Sequence, residues 1–359
     1  MMLLFGMLLA ASNAWAGAGD DALNAYLLDH FDQAFKTALP AAKKGDFLAQ
    51  FVVSGIYYGG RGQPENKKAA DDWDRLALAR ATPAAMAGDP RGQYVLGRVY
   101  CTGYVLPEDY RQCAVWCDKA SAQGYAPAMV VVAGLLSRGW GVPKDENKAM
   151  MYYYAASKKG LAIAQRYLGN RFRTNTGSFT ADPKGAMTFL RQAAVQGYAP
   201  AQFDLADMYD HGEAGPADHK AAFEWYLKAA QQGNGSAEAA VGDMYDEGSG
   251  VAADPAAALM WIRKSADERY ALGEFYLGRM YERGRGVAAD PNEAAKWYRK
   301  SAELNYDEAQ YALGAMVYSG RGAYKDPAEA RKWLRKAAEN GNDKAKALLK
   351  QLDAEPGKR

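Results

Sequence analysis

An all-α solenoid of stacked two-helix units is the fold class this sequence predicts, and three observations predict it. One pattern of small and aromatic residues recurs eight times, most copies begin 36 residues apart, and most turn at glycine in the middle and close at glycine. A unit of that period cannot bury its apolar face alone and does so against its neighbours. The 359 residues therefore read as a stack of repeats, not as the about two or three closed domains that such a length ordinarily makes.

The N-terminal residues 1–16 are set apart from that stack. Leu3 to Ala11 is a short apolar run, and Ala14-Trp15-Ala16 supplies the small-x-small site of a signal peptide, with Gly17 as the expected mature N-terminus. No Lys or Arg precedes the run, so only the α-amino group supplies positive charge there. The run is far shorter than the roughly 20 apolar residues of a membrane span. With no cysteine near Ala16, no lipid anchor is expected. Residues 17–48 are read as an N-terminal capping helix, a half repeat, because Ala41-Ala42-Lys43-Lys44-Gly45 matches the end of later units. A cap is needed where the first full repeat would otherwise expose its apolar face.

Residues 49–341 hold the eight repeats, which start at Ala49, Gly92, Ala128, Ala164, Ala201, Ala237, Gly273 and Ala309. The long first interval, 43 residues, places an insertion within Leu76 to Asp89, read as a loop because of Pro83 and Gly88. One extra residue in unit 4 falls among Asn175-Thr176-Gly177-Ser178. The first helix of a unit carries small or apolar residues at positions 0, 4, 5 and 8, as in Ala309, Leu313, Gly314 and Val317, which is one helical face. It stops at a Gly-x-Gly turn in five units, for example Gly284-Arg285-Gly286. No Gly-Lys-Ser/Thr follows these turns, so they are not phosphate cradles.

The second helix starts on Asn66, Asp109, Asp145, Asp182, Asp218, Asp254, Asp290 or Asp326. Proline follows at Pro183, Pro255, Pro291 and Pro327, which is the arrangement of an N-cap and a first helical residue. Its apolar face runs small, aromatic, large, small at spacing 0, 3, 4 and 7, as in Ala222, Trp225, Tyr226 and Ala229. Six tryptophans share the aromatic slot, with Tyr152 and Phe189 in the other two units, so periodic burial is expected of these rings. A base-stacking platform would need them exposed. Residues 342–359 are read as a C-terminal capping helix, through Lys344, Ala345, Leu348, Leu349 and Leu352, and a tail from Ala354.

A hydrophobic fraction of 49% with 24% charged residues describes a foldable chain, and a net charge of +2 offers no general attraction to nucleic acid or anionic membrane. Glu274 to Asn305 and Ala309 to Gly341 show most clearly a pattern that resembles the Sel-1-like repeat family, a relative of the tetratricopeptide repeat: Ala-Gln-Tyr-x-Leu-Gly, a glycine turn, then Asp-Pro-x-x-Ala-x-x-Trp. The resemblance covers nearly all of residues 45–341 and implies a right-handed superhelical solenoid of antiparallel helix pairs, with first helices lining its concave side. It also implies adaptor functions, since exported bacterial members restrain membrane sensors, bind host proteins or neutralise secreted effectors as immunity proteins. The family brings no universal catalytic residues.

Function is therefore expected where the units differ. On first helices, Arg98, Arg138, Arg166, Arg171 and Arg173 fall in units 2 to 4, and Asp204, Asp207, Asp243 and Asp246 in units 5 and 6, with Arg279 in unit 7. A groove lined by these residues is basic toward its N-terminal half and acidic past the middle; ordinary solvated charge is the alternative. Cys113 and Cys117 lie one turn apart on a second helix and Cys101 ends the preceding first helix, so an oxidising compartment allows a bridge from Cys101 to either, with one thiol left over. A zinc site would need a fourth ligand, and His30, His211 and His219 lie outside this unit. Asp207 and His211, four residues apart, suggest an acid–base or metal pair, against the commoner solvated helix end. The chain lacks a Gly-x-Ser-x-Gly elbow and a His-Glu-x-x-His helix. No catalytic residue, metal or cofactor is expected. The chain is read as an exported or periplasmic, non-enzymatic scaffold for a protein or peptide partner, as a regulator or adaptor. An immunity protein against a secreted effector, perhaps a lipase, is the alternative reading, and a cell-wall hydrolase around Asp204 to His211 the remote one.

Overall fold

The computed structural model describes residues 17–174, 180–322 and 324–354. The signal-like segment 1–16, the turn at 175–178 and the tail beyond 354 lie outside the described residues. The chain divides into two compact units, Met1–Tyr198 and Ala199–Arg359. The first holds α1 (Ala18–Leu27), α2 (Phe31–Lys43), α3 (Phe47–Gly59), α4 (Lys67–Met86), α5 (Pro90–Thr102), α6 (Tyr110–Ala122), α7 (Ala126–Arg138), α8 (Glu146–Lys158), α9 (Ala162–Arg173) and α10 (Pro183–Ala194). The second holds α11 (Ala199–His211), α12 (His219–Gln231), α13 (Gly235–Glu247), α14 (Pro255–Asp267), α15 (Ala271–Arg283), α16 (Pro291–Glu303), α17 (Asp307–Ser319), α18 (Pro327–Glu339) and α19 (Asp343–Ala354). There is no strand among the described residues. Within each unit, a first helix packs on its own second helix, and that one on the next first helix.

Each hairpin is closed by the same residue that starts its second helix. Asp254 accepts from the amides of Ala256 and Ala257 through its side chain, while its own N–H donates to the Tyr245 carbonyl of α13 at 2.9 Å. Asp109, Asp218 and Asp290 repeat both bonds, on Tyr100, Tyr209 and Tyr281. All eight expected caps form. Asp254→Ala keeps the backbone bond and loses the side-chain one, so it should cost about 1 kcal/mol. Urea unfolding and faster amide exchange confined to the start of α14 would register it.

The glycine turn is required by contact as well as by conformation. Gly286 has φ +68° and a Cβ placed on it would lie 2.6 Å from the Pro255 carbonyl oxygen, at the start of the preceding second helix. No other residue has both the conformation and the clearance.

Three expectations are corrected by the structure. Residues 17–48 hold two helices, α1 and α2, not one, because the chain turns at Asp29 in the left-handed conformation (φ 63°). The insertion before Asp89 is helix, not loop. Seven extra residues are close to two turns, so α4 lengthens without rotating its buried face, which runs Ala70, Ala77, Ala81, Ala85, and Pro83 falls in its last turn. The aromatic slot is only partly buried: Trp333 is 6% exposed, but Trp73, Trp116, Trp225, Trp261 and Trp297 are half-buried. An indole is too large for one helix face to cover, and, except at Trp73, a lysine three residues on lies over the ring, 3.5 Å from the centroid for Lys300 on Trp297 and 3.8 Å for Lys228 on Trp225.

Candidate functional site

The residues that recur in every repeat are consumed by the fold, which leaves the variable positions of the first helices as the candidate site. A ladder of amides shows how complete that consumption is. Gln50, Gln93, Gln165 and Gln310, at the fourth residue of their helices, each donate to a carbonyl eight residues earlier, at the end of the preceding second helix. Gln123, Gln196, Gln232 and Asn340 then donate to the side-chain oxygens of Gln93, Gln165, Gln202 and Gln310. Glutamate occupies this slot at Glu238 and Glu274, which are 0% and 2% exposed. Burial pushes both carboxyls up, opposed by Lys264 at Glu238 and by Lys300 and Arg269 at Glu274. These two buried acids escaped the sequence reading; the signal for them was a slot that is otherwise glutamine, with Met129 the exception.

In the first unit the five arginines do not share one environment. Arg166 and Arg171 line a cleft of about 390 Å³ on α9, with Ile163, Tyr167, Asn170, Thr174 and Tyr198. Glu146, at the start of α8, lies 3.4 Å from Arg171 and accepts from the Tyr167 hydroxyl at 3.5 Å, while Tyr167 stacks on Tyr153 with centroids 3.6 Å apart. Arg173 is half-buried at the end of α9 and does not line the cleft. Arg98 is half-buried on α5, where its charge bears on Tyr26, Tyr94, Asp74 and Cys117. Arg138 is exposed, donates to the Gly134 carbonyl and lies over the Trp140 ring at 5.1 Å. The cleft thus gathers two of the expected arginines beside tyrosine rings and an amide, a set that binds carboxylates and peptide carbonyls.

In the second unit the expected acidic stretch closes largely on itself. Arg279 on α15 hydrogen-bonds Asp243 on α13, and lies 3.6 Å from Asp246 and 3.7 Å from Glu247. Arg285 reaches Asp246 at 3.2 Å and Arg283 reaches Glu247 at 2.7 Å. Asp243, Asp246 and Arg279, expected as groove charges, are joined in a cross-repeat ion-pair network. Residues one period apart are neighbours in a stack, so opposite charges at positions 243 and 279 meet. The three carboxylates converge to within 4.8 Å, a spacing that would suit a cation, and guanidinium groups meet their charge. Burial raises the Asp243 carboxyl against the pull of Arg279; burial also opposes ionisation of Glu247, but Arg283, Arg279 and Arg285 together hold it below its usual value.

Asp204, Asp207 and His211 all lie on α11. Asp204 is 7% exposed, and two helical turns, about 10 Å of rise, separate it from His211. The His211 ring lies 3.0 Å from the Asp207 carbonyl and 3.2 Å from its carboxylate. The Asp207 carbonyl, then the acidic neighbours, raise the exposed imidazole. His219 pairs separately with Asp210 at 2.7 Å. Cys101 and Cys113 are joined as a disulfide between α5 and α6, and Cys117 is a buried free thiol, pushed up to about 12 by burial.

No described helix is long and apolar enough to cross a membrane. A comparison with curated protein sequences returned no match. Among solved structures, a Sel1 repeat protein from Oxalobacter formigenes is 31% identical, with 92% of this chain and 94% of that one covered at a TM-score of 0.57. A protective antigen of uropathogenic Escherichia coli displaying an SLR fold is 25% identical over 93% of this chain and 79% of its own, also at 0.57. The Sel1 repeat model matches seven consecutive segments: 90–125, 126–161, 162–198, 199–234, 235–270, 271–306 and 307–342. The pair α3–α4, with its two-turn insertion, precedes the first of them. The chain belongs to the Sel1 repeat family.

Proposed function

We propose that this Sel1 repeat protein is an exported, non-enzymatic scaffold that holds a protein or peptide partner on its first helices, as a periplasmic regulator or adaptor. The observation that carries this reading is the division of labour between positions. Recurring aspartates, glutamines and glycines are spent on caps, ladders and turns, whereas Arg166, Asn170 and Arg171 bring to the cleft side chains that no other repeat has in those slots. Repeat stacks of this kind present extended faces to protein partners. Basic side chains beside tyrosines suit an acidic peptide segment and orient its docking.

The test is affinity capture of the mature protein from its own envelope fraction, read by mass spectrometry, with wild type beside Arg166→Glu/Arg171→Glu/Arg173→Glu. The captured partner should be lost from the reversed variant, whose circular dichroism should match wild type. Unchanged capture by a folded variant would remove the cleft from the interface. A secreted effector, such as a lipase, as the captured partner would assign the scaffold to neutralising that effector instead.

A further inference from the structure

The first-helix face of the first unit is already covered in part, and by the chain itself. A terminal cap need only touch the repeat that it closes, and α2 does so against α3. α1 reaches much further. At its start, Asp20 lies 3.7 Å from the Arg91 guanidinium of α5 and accepts from the Tyr125 hydroxyl, just ahead of α7, at 3.5 Å. Near its end, Tyr26 lies against α3 so closely that a Cβ on Gly55 would be 3.0 Å from its hydroxyl oxygen. Just beyond, the His30 ring nitrogen is 3.2 Å from the carbonyl of Gly197, 167 residues away. Between these ends Ala22, Leu23 and Ala25 are 0%, 2% and 6% exposed, in one apolar cluster with Val52, Tyr94 and Tyr125. One ten-residue helix thus touches elements belonging to successive repeats, as a bound peptide would.

α1 has little helical stability of its own. Helices shorter than about 12 residues are marginal in isolation, so α1 owes its helicity to docking. Its N-cap, Gly17, makes no side-chain bond and its last turn carries no basic residue. Burial raises the Asp20 carboxyl to about 6 against the pull of Arg91, with Asp46 adding to the rise and Tyr125 opposing it. Burial likewise raises Asp29 against Arg61, Arg166 and His30. Burial disfavours the charged form of both carboxylates. The apolar edge of α1 therefore does the binding, and the arginines fix its direction.

We propose that α1 and the turn after it are the built-in occupant of a helix-binding site on α3 and α5 that extends to Arg166 of α9, and that the partner is a protein segment of the same kind. That segment is a short amphipathic helix with small residues along one edge and a carboxylate near each end, and it displaces α1. Asp20, in the first turn, and Asp29, in the turn just past the helix, set the spacing: nine positions along the chain. One end meets Arg91; the other falls under the charges of Arg61 and Arg166, and the α9 cleft continues from there. This deepens the scaffold reading and rests on it.

The test uses a labelled synthetic peptide of residues 17–30 and two full-length chains, wild type and Asp20→Arg/Leu23→Asp, in which α1 is ejected. The peptide should bind the ejected chain at least about tenfold more tightly than wild type, because an internal occupant lowers apparent affinity by the fraction of time it stays docked. It should slow amide exchange on α5 and α9. A peptide with lysine in place of its three aspartates should bind neither chain. Equal affinity for both chains, or binding without protection of α5 and α9, would overturn the proposal. If the ejected chain loses its helical signal, exchange on wild type decides. Amides of α1 exchanging about tenfold faster than those of α3 support a displaceable occupant, and equal rates make α1 a fixed cap. Capture of a partner while α1 stays protected would overturn this inference and leave the scaffold reading standing; loss of capture with α1 still opening would do the reverse.

Discussion

Arg279→Met is expected to destabilise the second unit by about 3 kcal/mol, the low end of the cost of breaking a buried ion pair. The side chain is 16% exposed and stands among Asp243, Asp246 and Glu247. Methionine fills a comparable volume and leaves the charges behind. The loss stays at the low end because Arg285 still holds Asp246 and Arg283 still holds Glu247. Asp243, which Arg279 hydrogen-bonds, bears most of it. Two consequences separate this from simple loss of packing. Adding Asp243→Asn should restore most of the stability, since the uncompensated charge is then gone. Acid should do the same. The Asp243 carboxyl is already raised in the folded chain, and losing Arg279 raises it further. A group with a raised folded pKa contributes stability below its unfolded value and loses it as pH climbs through the folded one. The variant should therefore approach wild type in urea melts near pH 4 and fall away toward pH 7. A deficit independent of pH would assign the role of Arg279 to packing.

Reducing the Cys101–Cys113 bridge is expected to cost about 3 kcal/mol, the chain-entropy value for a closed loop of this size. The two cysteines are 12 residues apart in sequence and cross-link α5 to α6 at the end where Asp109 already clamps the hairpin on the Tyr100 carbonyl. In a stack of repeats such a loss is local first. Amide exchange should speed up in α5 and α6 and remain unchanged in the second unit. Cys101→Ser should reproduce the effect of reductant. Cys117→Ser should not respond in the same way, because Cys117 is the thiol left over, buried against Gly97 and unreactive at neutral pH.

The parts of the fold that were legible in the sequence are those whose cause is local. An aspartate before a helix caps it wherever the helix goes, so Asp254 and its seven counterparts could be read without coordinates. Gly286 was legible as a turn for the same reason, although the Pro255 carbonyl it clears was not. Slots on one helix face were legible too, and Ala222, Tyr226 and Ala229 are buried as their spacing implied. What was not legible depends on partners far along the chain. Nothing within residues 17–30 announces a contact with Gly197, and the resemblance of residues 41–45 to later repeat ends pointed to an ordinary cap. The insertion in α4 was misread because Pro83 and Gly88 are loop signals taken singly, while seven residues taken together are two helical turns. The Asp243–Arg279 pair was readable in principle from the period of 36 residues, since each lies in the same slot of successive repeats. Treating those charges one by one, as free groove charges, concealed it. For the candidate site, the sequence brought forward Arg166 and Arg171, which line one cleft, but not their separation from Arg98 and Arg138.

The central claim is that recurring residues build the stack and variable first-helix residues hold the partner. Cross-linking mass spectrometry on the captured complex tests it most directly. The account predicts cross-links from the partner to first-helix positions, foremost on α5 and α9 around Arg98, Arg166 and Arg171. Cross-links confined to the lysines that lie over the second-helix tryptophans, such as Lys119 and Lys228, would contradict it.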